Sequence, residues 1–372
     1  MHFTLHLTDA CNMSCKYCYV RQDNRVMSLN TALTAVDAAA KTRRHCGIIF
    51  FGGEPLLHKD LIWETVDYAN FIQSRSDVRF HYKVTTNGLL LDDEFLRRSL
   101  ENELFIAMSH DGVKKAHDKN RVDKSGEGTF SRLEPVAQAL LESRPYAPVL
   151  MTVDPSTVKF YTESVEYLFQ KGFQYIICSL NYAGSWNNAA LKELEKQYRL
   201  LAKLYEKWTL AEEKFYLSPF ETKILSNIRC GCHEDRCELG KKQVSVAPDG
   251  TVYPCVQFVG DSRFAIGHIK TGVIEAKRDR LYRENDKEKG SCKDCVIKNR
   301  CNNKCGCLNR QSTGSITKVS PVQCANERML LPIADAVADR LFKRRDAMFI
   351  QKQYNDLYPL LSLIEDKQSL MR

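Results

Sequence analysis

Short apolar runs and longer amphipathic stretches alternate along the first 210 residues. The apolar runs, rich in β-branched, aromatic and aliphatic side chains, predict strands at residues 3–8, 46–51, 81–86, 104–109, 149–153 and 175–180. Between them, apolar positions recur at helical spacing. They predict helices at 28–44 (opening on a capping serine), 59–75 and 130–142, and a long amphipathic helix at 187–213. Strands that alternate with helices predict right-handed βαβ units on a parallel sheet. Periodicity alone leaves open whether six such units form a partial barrel or a doubly wound open sheet.

The pattern changes after residue 213. Ten of the fifteen cysteines fall between residues 230 and 324, among glycines and short polar segments. One hairpin is legible there: Gln243-Val244-Ser245-Val246-Ala247, the turn Pro248-Asp249-Gly250, then Thr251-Val252-Tyr253. So little apolar material predicts a segment that needs metal centres to hold it together. Helical periodicity returns from about residue 326, through Met329, Leu330, Ile333, Ala334, Val337 and Leu341. The expected organisation is a barrel-like α/β domain over 1–213, a small cysteine-rich domain over 214–325, and a terminal helical segment over 326–372. No internal repeat or low-complexity linker stands out.

Composition adds limits. The chain has 372 residues, 44% hydrophobic and 27% charged, which is ordinary for a globular protein. No apolar run is long enough to span a membrane, and the first residues read as a strand, not a secretory signal. The expected location is cytoplasmic, without a membrane. Fifteen cysteines in a chain with an ample core point to metal or cluster ligation, not to a disulfide framework. The formal charge of +8 is a poor argument for nucleic acid. Lys and Arg are scattered, and three [4Fe–4S]²⁺ clusters on eleven thiolates would remove about five units of positive charge.

The first cysteine group, Cys11, Cys15 and Cys18, forms C-x3-C-x2-C just beyond the first predicted strand. Three thiolates can hold three irons of a four-iron cube and leave the fourth open, much as a catalytic zinc site keeps a free position. The motif resembles that of the radical S-adenosylmethionine enzymes. In that family the open iron chelates the methionine moiety of the cofactor, and an electron releases a 5′-deoxyadenosyl radical that abstracts a substrate hydrogen. The resemblance continues in order. Tyr17 stands at the aromatic position before the third cysteine. Gly52-Gly53-Glu54-Pro55, after the second strand, is similar to the GGEP motif, whose backbone and carboxylate would meet the cofactor's ammonium. Asn87 follows the third strand. Ser109 and Asp111, after the fourth, would lie near the ribose, and Arg121 would contact the cofactor carboxylate. All of these sit at C-terminal strand ends, where parallel α/β folds place their chemistry. The resemblance covers residues 3–210 and implies a partial (β/α)6 TIM-type barrel.

The second group reads Cys237-x12-Gly250-x4-Cys255, then Cys292-x2-Cys295-x5-Cys301-x3-Cys305, then Cys324. It resembles the SPASM domain, which implies two auxiliary [4Fe–4S] clusters. Cys292, Cys295, Cys301 and Cys324 would hold the distal one. Cys237, Cys255 and Cys305 would hold the nearer one, with Cys232 preferred over Cys230 as the fourth ligand. A pair of zinc sites is the alternative. Cys46 and Cys178 lie on predicted strands and read as small core residues, although Cys178, near a strand end, is also placed to face a substrate cavity. Cys307 is left without a role.

The family pattern implies S-adenosylmethionine and three [4Fe–4S] clusters as cofactors, and a peptide or protein as substrate. The leading expectation is a maturase that forms a thioether, C–C or related crosslink in a ribosomally made precursor peptide. A sulfatase-maturing enzyme, which makes formylglycine, is the second reading. It meets one departure, because those enzymes have an aspartate base right after the G-x4-C cysteine and here Val256 and Gln257 follow Cys255. A non-catalytic iron–sulfur or zinc protein is the third. A strand starting at residue 3 leaves no space before it for a leader-binding module, so a separate leader-binding protein, or the barrel and terminal helices, would recruit the substrate. The basic stretch around 340–345 reads as a solvated face, with contact to an acidic leader as the alternative. A flavodoxin or ferredoxin would supply electrons. Asp154, Tyr182 and Cys178, at the ends of the fifth and sixth strands, are the candidate catalytic residues.

Overall fold

The computed structural model describes residues 1–229 and 237–369, so Cys230 and Cys232 lie outside the described residues. Strand β1 (His2–Thr8) is buried along nearly its whole length, as a strand covered on both faces must be. It pairs in parallel with β2 (His45–Gly52), and β3 (Arg79–Thr86), β4 (Leu104–Ser109), β5 (Pro148–Val153) and β6 (Tyr175–Leu180) follow in chain order, all parallel. The connecting helices are α1 (Leu29–Ala40), α2 (Lys59–Gln73), α3 (Asp93–Glu101), α4 (Lys114–Asn120) with α5 (Phe130–Ser143), and α6 (Tyr161–Lys171). Helix α7 (Asn188–Leu210) closes the series. This is the α/β partial barrel that the strand and helix pattern, read with the motifs, implies.

Local chemistry sets the helix ends. The Ser28 hydroxyl accepts from the Thr31 amide at 3.2 Å, and the Asn187 side chain accepts from the Ala190 amide at 2.9 Å, each capping a helix start. Helix α1 stops short of the expected residue 44. Its buried stripe ends at Ala39, and the Thr42 hydroxyl donates to the Ala39 carbonyl at 2.7 Å, closing the last turn.

The sheet does not end with the barrel segment. Strand β7 (Tyr216–Leu217) extends the β6 edge, and helix α8 (Ser218–Ile228) follows. The expected hairpin forms from β8 (Gln243–Val246) and β9 (Thr251–Tyr253), with Gly250 at φ +87° in its turn. Strand β8 also pairs in parallel with β1, so that His2 to Leu5 face Gln243 to Val246. Short strands β10 (Gly267–His268) and β11 (Gly272–Val273) complete one eleven-stranded sheet, in the order β11-β10-β9-β8-β1-β2-β3-β4-β5-β6-β7.

Helices α9 (Glu275–Asp286) and α10 (Gly306–Thr313) carry the cysteine-rich part. The terminal stretch splits into α11 (Pro321–Lys343), α12 (Ala347–Tyr354) and α13 (Tyr358–Ser369). Helix α11 packs on α7 and α8, and its Leu330, Ala334, Val337 and Leu341 join the hydrophobic core that holds the barrel strands. A polar tie adds to this: Lys352 pairs with buried Glu221, which also accepts from Gln353 at 2.6 Å and from the Tyr205 hydroxyl at 3.1 Å. The divisions at 213 and 325 therefore separate sequence segments that share one sheet and one core. Among the described residues no helix is long and apolar enough to cross a membrane.

Candidate active site

The C-terminal ends of the barrel strands surround a cavity of about 580 Å³. Its first wall is the loop after β1. That loop is fastened at its base by the Met27 amide on the Leu7 carbonyl (2.7 Å) and by Asp9 on Arg25 (amide to carbonyl 3.1 Å, ion pair 2.7 Å). On its far side the Ser14 and Lys16 amides donate to Val122 and Asn120 at 2.8 and 2.9 Å. So held, Cys11, Cys15 and Cys18 face one another and line the cavity. The Met13 amide donates to Cys11 Sγ at 3.4 Å, and Asn87 Nδ2 reaches it at 3.7 Å. Burial raises the Cys11 thiol and pushes Cys15 up to about 11. The bare protein thus keeps these groups protonated, and ligation would have to displace the protons, as metal binding does.

Two glycines bring the second strand against this loop. The Gly53 and Glu54 amides donate to the Thr8 and Ala10 carbonyls at 2.8 and 2.9 Å. A Cβ on Gly53 would sit 2.0 Å from the Ala10 carbonyl oxygen, and one on Gly52, at φ +131°, would lie 2.3 Å from that of Thr8. Only glycine permits this approach. Both glycines line the cavity.

Glu54 is placed differently from the expectation. Its side chain is fully buried and does not line the cavity. It accepts from the Leu56 amide (3.0 Å), the Thr86 hydroxyl (2.7 Å) and the Asn87 amide (2.8 Å). Burial raises its carboxyl to about 7, although those hydrogen bonds favour the charged form. Glu54 therefore acts first as a clamp between the ends of β2 and β3, while Pro55 starts a buried 3₁₀ turn beside it.

Asn87, Ser109, Arg121 and Tyr17 line the cavity, and Asp111 contacts Tyr17 and Arg121. Asp111 accepts from the Tyr17 hydroxyl at 2.5 Å and from the Thr152 amide at 2.9 Å, and pairs with Arg121 Nε at 3.0 Å. The Arg121 guanidinium stands 5.5 Å from the Tyr17 ring centroid. Burial is the largest influence and opposes its charge, but Asp111, Tyr17 and Cys15 together outweigh it and keep the guanidinium cationic. A buried cation thus faces the cavity beside the three cysteines.

The deeper wall holds Cys178 and Tyr182, with Tyr161 and Tyr198, which the strand pattern did not single out. Cys178 contacts the Tyr161 hydroxyl, and burial pushes its thiol up to about 12. Burial also raises the Tyr182 hydroxyl. Both groups are neutral near pH 7 and can donate but not act as bases. Asp154 does not line the cavity. It accepts from the Ser156 amide and hydroxyl (2.9 and 2.6 Å) and from Asn181 Nδ2 (2.8 Å), which makes it a turn-forming residue. The outer wall comes from the C-terminal half: Lys223 and Glu327, paired at 2.7 Å, with Gln257, Gln323 and Asn326.

The later cysteines gather in two sets. Cys301 faces Cys292 and Cys324, and Cys324 faces Cys292 and Cys295. Cys305 contacts Cys237 and, at 3.4 Å between sulfurs, Cys307, which in turn contacts Cys255. Tyr19 lies near Cys18, Cys255 and Cys307. Cys46 is core, as expected, with its thiol donating to the Ala39 carbonyl at 3.0 Å. Three thiols on a cavity wall fit a cube with one open iron, and the two later sets fit further thiolate-held clusters.

Comparison with known proteins places this arrangement in a class. Residues 5–184 match the radical SAM superfamily, and residues 237–296 match the SPASM iron–sulfur cluster-binding domain. The chain belongs to the radical SAM enzymes with a SPASM domain, and S-adenosylmethionine and iron–sulfur clusters are its cofactors. Among curated relatives, the cysteine-type anaerobic sulfatase-maturating enzyme of Clostridium perfringens is 25% identical over 80% of this chain and 86% of its own. The solved structure of native anSMEcpe with bound AdoMet superposes with a TM-score of 0.80 at 21% identity, covering 92% of this chain and 99% of that one. Streptococcus suis SuiB bound to precursor peptide SuiA superposes at 0.61 and 13% identity, over 87% and 75%. At those identities the structural likeness establishes the fold.

Proposed function

We propose that this enzyme abstracts a hydrogen atom from a side chain of a peptide or protein held in the cavity, and that the product is a crosslink in a ribosomally made precursor peptide. Three [4Fe–4S] clusters serve it in this reading, the first held by Cys11, Cys15 and Cys18. When bound, that cluster and S-adenosylmethionine would supply one-electron reductive cleavage and hydrogen-atom abstraction. The Gly52 and Gly53 backbone, Asn87, Ser109 and the Arg121 guanidinium would hold the cofactor. Glu54 and Asp111 keep those groups in place. Cys178 and Tyr182 offer protonated donors at the deeper wall, and Lys223 and Glu327 shape the outer wall against substrate. A separate leader-binding protein and a flavodoxin- or ferredoxin-type donor would complete the system.

The observation that carries the crosslinking reading is that, among the described residues, no free carboxylate lines the cavity. Val256 and Gln257 follow Cys255, Gln257 lines the cavity, and the carboxylate on its wall among the described residues, Glu327, is held by Lys223. A formylglycine-forming site needs a base there. The sulfatase-maturing reading is favoured by a different observation, namely the curated relatives that match 80% of the chain.

One set of reactions separates the readings. Reconstituted protein with dithionite and S-adenosylmethionine should form deoxyadenosine, and the Cys11, Cys15 and Cys18 triple alanine variant should form none. With a co-expressed precursor peptide, mass spectrometry should find loss of two hydrogens per crosslink. Conversion of a C-x-P-x-R-type peptide to the aldehyde, with the precursor untouched, would replace the first reading by the second.

A further inference from the structure

Four thiols, not three, meet at the nearer auxiliary position. Cys305 caps helix α10 and Cys307 lies in its first turn, so both side chains emerge from the same helix end. Their sulfurs are 3.4 Å apart. Cys237 contacts Cys305, and Cys255 contacts Cys307, which closes a continuous group of four. Three of the four are more than nine-tenths buried.

Backbone donors point at the same group. The Cys307 and Leu308 amides donate to Cys305, the Gly306 amide donates to Cys237, and the Val256 and Gln257 amides donate to Cys255. Amides aimed at sulfur stabilise thiolate and are the usual surroundings of a cluster ligand. Gly306 has its own reason to be glycine, because a Cβ there would sit 2.6 Å from Asn285 Oδ1. The C-x-C segment is thereby held close to α9. Two thiolates in contact in a buried site repel strongly, and a bound cluster removes that repulsion. Among the described residues no three such side chains surround one point as they would a single metal ion. A cluster differs in spreading its thiolates over several irons.

We propose that Cys307 is the fourth protein ligand of the nearer auxiliary cluster, with Cys237, Cys255 and Cys305, so that this centre is complete without Cys230 or Cys232. With four protein thiolates it has no open iron, and substrate cannot ligate it directly. Its role is then to pass electrons. Tyr19, which lies near Cys18 and near Cys255 and Cys307 of this quartet, stands between the two groups of thiols.

The inference rests on the auxiliary-cluster part of the proposed function, and the two can fail separately. Wild-type protein, the double variant Cys230→Ala with Cys232→Ala, and Cys307→Ala are reconstituted anaerobically. Iron, acid-labile sulfide and the electron paramagnetic resonance of the reduced protein are then measured. The double variant should match wild type in all three. Cys307→Ala should lose up to about one third of the iron, one centre of three, or change that centre's signal. Loaded wild-type protein treated with iodoacetamide should be alkylated at Cys230 and Cys232 and protected at Cys307, and cluster removal should expose Cys307. This last measurement holds even if Cys307→Ala does not fold. The proposal is overturned if the double variant loses a centre, or if Cys307 is alkylated in loaded protein while Cys230 or Cys232 is protected. Wild-type protein that binds only the iron of the first cluster would instead sink the auxiliary-cluster reading itself.

Discussion

Replacing Glu54 by glutamine tests whether the clamp between β2 and β3 is a buried carboxyl poised near neutrality. The side chain is fully buried, and its carboxyl titrates near 7, where an unfolded glutamate titrates near 4.5. A carboxyl raised in this way stabilises the fold fully below the unfolded value, and that stability is lost as pH rises through the folded value. Between pH 6 and pH 8 the loss from this one group is about 1.4 kcal/mol. Glutamine keeps one acceptor oxygen for Leu56 and Thr86, but sets an amide donor against the Asn87 amide. That conflict costs roughly 1–3 kcal/mol and does not depend on pH. The variant should therefore be less stable than wild type at pH 6, and the gap should narrow by about 1.4 kcal/mol at pH 8. The assay is anaerobic urea unfolding of cluster-loaded protein without S-adenosylmethionine, run on both proteins at both pH values so that other titrating groups cancel. A gap that stays constant or widens with pH would refute the reasoning.

Two further substitutions test the neighbouring geometry. Asp111→Ala leaves the buried Arg121 guanidinium unpaired and should cost about 3–5 kcal/mol, and adding Arg121→Leu should recover part of it, as a denaturation double-mutant cycle would measure. Gly53→Ala drives a methyl into the Ala10 carbonyl, with backbone on both sides and nothing flexible to yield. Cluster loading at Cys11, Cys15 and Cys18 and deoxyadenosine formation should both fall at least tenfold; unchanged loading would mean the close approach is not needed.

Much of this site could be read before folding because its signals are local. The C-x3-C-x2-C spacing, the GGEP turn and the Ser109–Asp111 stretch each lie within a few residues and directly after a strand. The alternation of strand and helix then brings them to one end of the sheet. The β8–β9 hairpin was legible for the same reason, since a Pro-Asp-Gly turn encodes its own reversal.

What the chain's order determined alone was the alternation of six strands with helices, the β8–β9 hairpin and the spacing of the cysteine motifs that carry the resemblance. Only tertiary structure decided which polar groups face the cavity and which face inward. Glu54 and Asp154 stand at the expected strand ends, yet each satisfies backbone donors, since a buried carboxylate without partners is too costly to leave open. Likewise, the pairing of β8 with β1 and the meeting of Cys307 with Cys255 join residues far apart in the chain. Such contacts depend on how the helices and loops close over one shared core, and no spacing along the sequence records it.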